Sequence, residues 1–431
     1  MSQIIVRGGR PLHGELTIRG SKNATLPLLA ACLLTDEPCT LANIPLIDDI
    51  FTMAELLRRL GVEVTIDCSS RTARVCAAGL RHADPDPQLV RQERGSFLVM
   101  GPLLVRLGRA SSPHPGGCAI GARPVDVTVH GFRAMGAVVH SSEDWYDART
   151  PQGLHGASIY LDYPSVTGTE NLLLAACLAA GRTLIKHASC EPEVVALADF
   201  LTAMGAQIRG AGTAFIEIEG VPRLHGAHGR VIADRIEAGT FAAAAVATEG
   251  EVLLRDVNCD HVEPVLYKLQ QIGAETACHG TDLLVRGRRP FRPVEVQAIH
   301  FPGFPTDLQA VFAALLTQAE GLSIIQERVY EDRLLYVAEL RKMGADIVVR
   351  GQRADISGPT QLQGAAVRAL DLRAGACLIV GALVAAGTTT ISDVHHIQRG
   401  YEDVVGRLAS LGADIHLIEQ PAAQAVALVA G

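Results

Sequence analysis

No two of the chain's ten cysteines stand in a C-x-x-C pair, which argues against a zinc ribbon or a disulfide framework. Cys32, Cys39, Cys68, Cys76, Cys118, Cys177, Cys190, Cys259, Cys278 and Cys377 are scattered, most within apolar runs where a thiol serves as a small core side chain. Positive charge is scarce too. The 38 basic and 46 acidic residues leave a net charge of −8 with no run of Lys or Arg, which argues against a nucleic-acid partner. The longest apolar stretches, such as Ala376 to Gly387, fall well short of the roughly 18 residues of a membrane helix. The start, Met1-Ser2-Gln3-Ile4-Ile5-Val6-Arg7, has no export signal, so no membrane contact and a cytoplasmic location are expected. G-x-x-x-x-G-K-[ST], H-E-x-x-H and a strand-bounded G-x-G-x-x-G are all missing. His395-His396 has no acid or Cys cluster beside it, so neither a metal nor a redox cofactor is expected. Aromatic residues make up only 4% of the chain, which leaves close packing to Ala and Gly.

What the chain does contain is one pattern, six times. A helix-like segment ending in an apolar residue, then Gly, then a short strand-like run, recurs at Leu60-Gly61-Val62, Met135-Gly136-Ala137, Met204-Gly205-Ala206, Ile272-Gly273-Ala274, Met343-Gly344-Ala345 and Leu411-Gly412-Ala413. The glycines lie 75, 69, 68, 71 and 68 residues apart, so six units of about 70 residues account for nearly the whole chain. Before the glycines the segments are amphipathic: Met53, Leu56, Leu57 and Leu60 fall at i, i+3, i+4, i+7, as do Val194, Leu197, Ala198 and Leu201. The Gly is expected to stop each helix in the left-handed conformation.

A second helix per unit is apolar nearly all round: Leu26 to Leu34, Phe97 to Val105, Leu172 to Ala180, Phe241 to Ala247, Val311 to Leu316 and Cys377 to Ala386. Helices without a polar face have to be buried. In five units Gly108, Gly181, Gly250, Gly321 or Gly387 follows, then a strand-like run. The expected architecture is a core of helices wrapped by outer helices and short strands, with two domains at this length.

Polar chemistry collects just ahead of the helices. Lys22-Asn23, Arg91 and Arg94, Ser165 to Glu170, Arg235 and Glu237, Pro305-Thr306-Asp307, and Asp371 with Arg373 precede the apolar helices. Asp48-Asp49, the loop before Asp126, Glu191-Pro192-Glu193, Asp260, Asp332-Arg333 and Gln398-Arg399-Gly400-Tyr401-Glu402 precede the outer ones. Helix N-termini attract anions through unpaired N–H groups and the dipole, so an acidic protein built this way can hold a multiply charged anion.

One loop differs from the rest. Pro115-Gly116-Gly117-Cys118-Ala119-Ile120-Gly121-Ala122-Arg123-Pro124-Val125-Asp126 surrounds one thiol with glycines and places a cation five residues on, conditions that lower a thiol pKa and suit it to chemistry. Lys22 can put a point charge on a phosphate and Asn23 can bond a hydroxyl, or the two are simply helix-start residues with solvated neighbours. Asp307, taken locally, is a helix N-cap; as a general base it needs burial, a tuning neighbour and a hydroxyl within reach. Arg94, Arg123, Arg333, Arg373 and Arg399 recur at unit starts, where guanidinium forks can clamp phosphate or carboxylate.

Gly20-Ser21-Lys22-Asn23-Ala24, the loop from Gly116 to Asp126, Phe304-Pro305-Thr306-Asp307 and His396-Ile397-Gln398-Arg399-Gly400-Tyr401-Glu402 closely resemble the UDP-N-acetylglucosamine enolpyruvyl transferases (1-carboxyvinyltransferases) of peptidoglycan synthesis. The likeness runs from the first strand to the last unit, and the cysteine loop is absent from the sister family that makes enolpyruvylshikimate phosphate. The resemblance implies an α/β fold (α+β in some schemes), the inside-out α/β barrel, of two similar domains each built from three βαβαββ-type units. Residues 21–232 would form the first domain, and residues 1–20 with 233–431 the second, closing over a cleft that holds the active site.

The resemblance also implies the reaction: the enolpyruvyl group of phosphoenolpyruvate moves to the 3'-hydroxyl of UDP-N-acetylglucosamine through a tetrahedral ketal, releasing phosphate. It opens peptidoglycan synthesis and so bears on cell-wall biogenesis, cell shape and division. Cys118 matches the general acid toward the methylene carbon and the target of the covalent inhibitor fosfomycin, and Asp307 matches the base for the sugar hydroxyl, displacing the N-cap reading. Lys22, Arg123 and Arg399 match the groups holding phosphate and carboxylate, with Arg94 near both ligands and Asn23 on the sugar. Arg123, Pro124, Val125, Asp126, Ser165, Val166 and Val329 match the uridine-diphosphate side; Asp371 with Arg373 matches a conformational pair; Asp49 and Arg333 match cleft residues. Three places depart from the family pattern: Cys190 replaces an Arg, Ser165-Val166-Thr167-Gly168 differs from the usual Ser-Val-Gly-Ala, and Asp332 replaces an Asn. Rival readings are a transferase of the enolpyruvylshikimate-phosphate type and a silent nucleotide-sugar-binding paralogue that regulates the pathway.

Overall fold

The computed structural model describes residues 2–116 and 125–419. Packing divides the chain into two compact units, one of Met1–Thr17, Ala238–Ala298 and Pro305–Gly431, the other of Ile18–Glu237 and Ile299–Phe304. Strands and helices alternate throughout, giving an α/β fold with six small sheets among the described residues, five of four strands and one of three.

The six glycine stops form with one geometry. Gly61, Gly136, Gly205, Gly273, Gly344 and Gly412 have φ between 92 and 109°. At each, the Gly N–H donates to the carbonyl three residues back and the next N–H to the carbonyl five residues back, for example Gly61 to Arg58 and Val62 to Leu57, at 2.9–3.1 Å. This is the Schellman closure, which satisfies carbonyls the helix end would otherwise strand. The outer helices it terminates bury the expected stripe: Met53, Leu56 and Leu57 of the helix Asp48–Arg59 are fully buried while Arg58 and Arg59 face solvent. The glycines after the apolar helices are less uniform, since in the fourth unit the left-handed residue is Glu249 (φ 56°) rather than Gly250.

The apolar helices Lys22–Ala31, Met100–Leu107 and Val166–Ala176 form the core of the unit of residues 18–237, and Arg235–Ala247, Gln309–Leu316 and Leu372–Val384 that of the other. Leu372–Val384 is buried without a break from Leu372 to Leu383. Helix Met100–Leu107 approaches Val166–Ala176 so closely at Gly101 that a Cβ there would sit 2.5 Å from the Asn171 carbonyl oxygen. The Asn171 amide uses that approach, accepting from Gly101 N at 3.0 Å and donating to Phe97 O at 3.1 Å.

Each of the five four-stranded sheets carries one short edge strand parallel to its neighbour while its other pairs are antiparallel; in the third unit Ser158–Tyr160 runs parallel to Arg182–Lys186, followed by Phe215–Glu219 and Gln207–Arg209. Sequence-distant strands complete three of the sheets. His228–Arg230 joins the first unit beside Cys39–Ala42, and His13–Thr17 joins the fourth beside Glu251–Arg255. The N-terminal strand Ser2–Arg7 inserts between Thr388–Ser392 and Asp414–Glu419, antiparallel to both.

The cysteine expectation needs correcting. Cys259, at the start of the helix Cys259–Ile272, forms a disulfide with Cys278 on the strand Glu275–His279, with Cα atoms 6.5 Å apart. The helix-to-hairpin turn brings together two cysteines whose spacing of 19 carries no pairing signal. Of the free cysteines described, Cys32, Cys39, Cys177 and Cys377 are buried, Cys76 and Cys190 half-buried, and Cys68 exposed.

Candidate active site

In the unit of residues 18–237, Ser21 caps the helix Lys22–Ala31, its hydroxyl accepting from Ala24 N at 3.2 Å, so Lys22 and Asn23 occupy the first turn. Asp234 anchors the same point by accepting from Lys22 N (3.2 Å) while its other oxygen takes Ile236 N and Glu237 N. The Lys22 ammonium lies 2.5 Å from Asp49 and 3.8 Å from Glu93, both buried carboxylates. The solvated neighbours of the local reading are therefore absent. Burial pushes the Glu93 carboxyl above its usual range and the Asp49 charge adds to this, against the opposing pull of Lys22. Glu93 accepts from Gly95 N at 2.7 Å and so fixes the short turn that Arg94 opens.

A second group gathers at the helices Asp126–Ala134 and Val166–Ala176. Ser165 caps the latter by accepting from Gly168 N at 3.1 Å, which puts Val166 in its first turn. The Tyr163 hydroxyl donates to Asp126 at 2.9 Å. Beside them a cavity of about 410 Å³ is lined by Val125, Asp126, His130, Arg133, Tyr146 and Tyr160 among others. The Arg94 charge acts on Tyr146, which places Arg94 near the same wall. Cys118, Arg123 and Pro124 lie outside the described residues.

In the other unit Asp307 does not cap a helix. It stands in the single turn Thr306–Leu308, and its Oδ1 accepts from Arg333 Nη2 at 2.6 Å. Its Oδ2 accepts from Arg373 Nη2 at 2.7 Å and Nε at 3.2 Å. Burial would raise the Asp307 pKa, but the two guanidiniums overcome it and hold the carboxyl well below the usual range. Asp371 caps the helix Leu372–Val384, accepting from Arg373 N (2.7 Å) and Ala374 N (3.0 Å), and so aims Arg373. Val329 sits in the turn where Glu327 accepts from Val329 N at 2.7 Å and Tyr330 N at 3.2 Å. Arg399 ends the short helix His395–Gln398 beside His396, whose pKa is lowered by burial and by the charges of His395 and Arg399.

Sequence reasoning brought Lys22 and Asp49, and Asp307, Arg333 and Arg373, onto one list without foreseeing that they pair. It missed Glu93 and Glu327 as site residues, although Glu93 stands next to Arg94. Asn23 is half-buried beside Lys22. Among the described residues no group of three His, Cys, Asp or Glu side chains is arranged to hold a metal ion, and no helix is long and apolar enough to cross a membrane. What the three groups offer is cations at helix starts, able to grip phosphate or carboxylate, and one carboxylate, Asp307, held by two arginines.

Comparison with known proteins narrows the chemistry. Residues 6–408 match the EPSP synthase (3-phosphoshikimate 1-carboxyvinyltransferase) family. The chain is 48% identical over 418 residues to a UDP-N-acetylglucosamine 1-carboxyvinyltransferase of Desulfosudis oleivorans, covering 97% of this chain and 100% of the relative. It is 45% identical to UDP-N-acetylglucosamine 1-carboxyvinyltransferase 1 of Halalkalibacterium halodurans, covering 97% and 95%. Among solved structures, the enolpyruvyl transferase NikO from Streptomyces tendae superposes with a TM-score of 0.89 at 26% identity over 97% of this chain and 99% of that one. EPSP synthase from Acinetobacter baumannii shares the fold at a TM-score of 0.75 and 19% identity, covering 97% and 100%.

Proposed function

The chain belongs to the EPSP synthase family and, at 43–48% identity, to its UDP-N-acetylglucosamine 1-carboxyvinyltransferases; on that premise we propose that it transfers the enolpyruvyl group of phosphoenolpyruvate to the 3'-hydroxyl of UDP-N-acetylglucosamine and releases phosphate. The observation that carries this reading is 48% identity along 97% of the chain to a relative of that name, against 19% to a solved EPSP synthase. The reaction serves peptidoglycan synthesis in the cytoplasm.

In this reading Lys22, Arg123 and Arg399 hold the phosphate and carboxylate of the donor, with Arg94 nearby, and Asn23 bonds the sugar. The ammonium of Lys22 already faces carboxylates at 2.5 and 3.8 Å, which supports a role as a point charge for an anion. Arg123, Pro124, Val125 and Asp126, with Ser165, Val166 and Val329, take the uridine diphosphate; the cavity beside Asp126 and the helix start at Ser165 suit an aromatic base and a phosphate respectively. Asp307 takes the hydroxyl proton, while Arg333, Arg373, Asp371 and Asp49 set the charge around the reacting groups. Cys118 delivers a proton to the methylene carbon, and fosfomycin alkylates it.

Addition of the sugar oxygen to the donor gives a tetrahedral ketal, and loss of phosphate restores the double bond. Residues 21–232 carry Lys22 and all of these nucleotide contacts except Val329, and residues 233–431 with 1–20 carry Val329, Arg399, and Asp307 with its arginines. Phosphate release in the presence of both substrates tests the proposal, with Cys118→Ala as the control. No phosphate above that control refutes it, and release with shikimate 3-phosphate instead of the nucleotide sugar reassigns the acceptor.

A further inference from the structure

We infer that Arg333 and Arg373 gate Asp307: without ligand they occupy both oxygens of its carboxylate, and an anionic ligand that draws one of them away turns Asp307 from a counter-ion into a working base. The inference rests on the reading of Asp307 as the base for the acceptor hydroxyl.

A carboxylate removes a proton only if a lone pair faces the hydroxyl and the protonated form is accessible at the working pH. Here Oδ1 is engaged by Arg333 and Oδ2 twice by Arg373. Both guanidiniums are buried, whereas the Asp307 side chain keeps 23% of its surface open, enough for a hydroxyl to reach it. With two cations attached, Asp307 binds a proton too weakly to act at neutral pH.

Each arginine has somewhere else to go. Arg333 already donates to Thr306 Oγ1 at 3.2 Å and lies 5.2 Å from the Tyr330 ring, and Thr306 is itself fixed by donating to Glu327 at 2.6 Å. Arg373 reaches the Tyr401 hydroxyl at 3.3 Å and lies 5.6 Å from its ring, and that hydroxyl is tied to Thr240 at 2.8 Å. Releasing Asp307 therefore leaves neither guanidinium without hydrogen-bond partners, and the incoming anion supplies the counter-charge whose loss is the main cost of breaking a buried pair.

The charged and titratable groups around Asp307 come from three segments. Arg333, Glu327 and Tyr330 belong to the strand Gly321–Glu327 and the turn after it; Arg373 and Asp371 to the start of Leu372–Val384; Tyr401 to the stretch beyond His395–Gln398. Glu327 titrates above its usual range because burial outweighs its hydrogen bonds and the Arg333 charge, whereas at Asp307 the two arginines outweigh burial. A carboxylate or phosphate is the ligand chemistry that recruits a guanidinium fork, and phosphoenolpyruvate carries both. The step that follows is a proton transfer: the acceptor O–H bond breaks, its electron pair stays on oxygen to form the new C–O bond, and the proton goes to the freed Asp307 oxygen.

The test is an infrared titration of carboxyl groups in the full-length protein, taken as the difference from Asp307→Asn. Replacing either arginine, as Arg333→Gln or Arg373→Gln, is expected to move the Asp307 signal up by about 1–3 pH units, the usual effect of one adjacent cation. Phosphoenolpyruvate is expected to move the wild-type signal in the same direction, and the acid limb of kcat to lie above that of kcat/KM. A signal unmoved by the ligand, or moved down, overturns the gate, and this arm decides alone if a Gln variant does not fold. A ligand-induced upward shift without phosphate release would retain the gate and remove the transferase reading; phosphate release without the shift would do the reverse.

Discussion

Removing the Lys22 ammonium, as Lys22→Met, exposes what that side chain does before any substrate arrives. It is the cation between two buried carboxylates, Asp49 at 2.5 Å and Glu93 at 3.8 Å, and its own side chain is only 13% exposed. At an effective dielectric of about 20, one unit-charge pair near 4 Å is worth about 4 kcal/mol. Methionine fills the space of the stem but leaves Asp49 and Glu93 facing each other, so the cost falls in the range of about 3–5 kcal/mol typical of breaking a buried pair. In a unit of this size each kcal/mol moves a thermal midpoint by about 2–4 °C, so the unit of residues 18–237 should melt roughly 6–20 °C lower at pH 8.

The pH dependence of that loss has a definite sign. The folded-state pKa of Glu93 is raised by burial first and by Asp49 second, above an unfolded value of about 4.3. An acid shifted this way opposes folding as pH rises from the unfolded toward the folded pKa, and does so more once its cation is gone. The penalty of Lys22→Met should therefore shrink between pH 8 and pH 5, and adding Asp49→Asn should recover part of it at pH 8. Scanning calorimetry of wild type, single and double variants at both pH values measures all three effects. A single variant as stable as wild type at pH 8, or a double variant no better than the single, would refute the view that Lys22 is the counter-ion of both acids.

Glu170 is buried, its Oε1 has no hydrogen-bond partner, and burial together with Glu193 and Glu191 holds its pKa well above normal; Glu170→Gln should raise stability at pH 7–8 and leave it unchanged near pH 4, as denaturant unfolding at both pH values would show. At Gly344 (φ 92°) an added Cβ meets nothing within 4 Å, so Gly344→Ala should cost only the left-handed strain of about 1–2 kcal/mol. Gly61→Ala would add a Cβ 2.5 Å from the Gly79 carbonyl oxygen and should cost clearly more in the same unfolding assay. Reducing the Cys259–Cys278 bridge, which spans 19 residues of sequence, should lower stability by about 3 kcal/mol through the freed chain entropy, seen as a reductant-dependent midpoint absent in Cys259→Ser.

The periodic part of the fold was legible because its causes are local. A left-handed stop needs glycine at that very position, and the stripe Met53, Leu56, Leu57, Leu60 needs no partner to be recognised. The closing strands were not legible in composition: His228–Arg230 reads His-Gly-Arg, and it becomes a strand only because Cys39–Ala42 offers a parallel edge. The site divides the same way. Helix-start placement picked out Lys22, Asp307, Arg333 and Arg373, but whether a cation meets water or a carboxylate depends on residues 26 to 71 positions away, which no local signal reports. Asp307 shows the limit most clearly, since its local pattern says cap while its oxygens are taken by arginines from two other segments.

The same arrangement occurs in both units. Lys22 faces Asp49 and Glu93, Arg235 forks onto Glu193 at 3.0 and 3.2 Å, and Arg333 with Arg373 holds Asp307. In each case a cation near a helix start is nearly buried and is paired with an internal carboxylate. A desolvated cation without such a partner is costly, so a site made for a polyanion needs placeholders while empty. On the proposed reading this reconciles a net charge of −8 with anionic substrates: the acids paired with these cations would balance them until phosphate and carboxylate exchange with them. Binding would then gain the difference between two ion pairs rather than one whole pair, and the released carboxylate would be left with an accessible lone pair beside the substrate. In Asp307 that released group is the proposed base, which ties the arrival of the anion to the moment at which a proton can be taken.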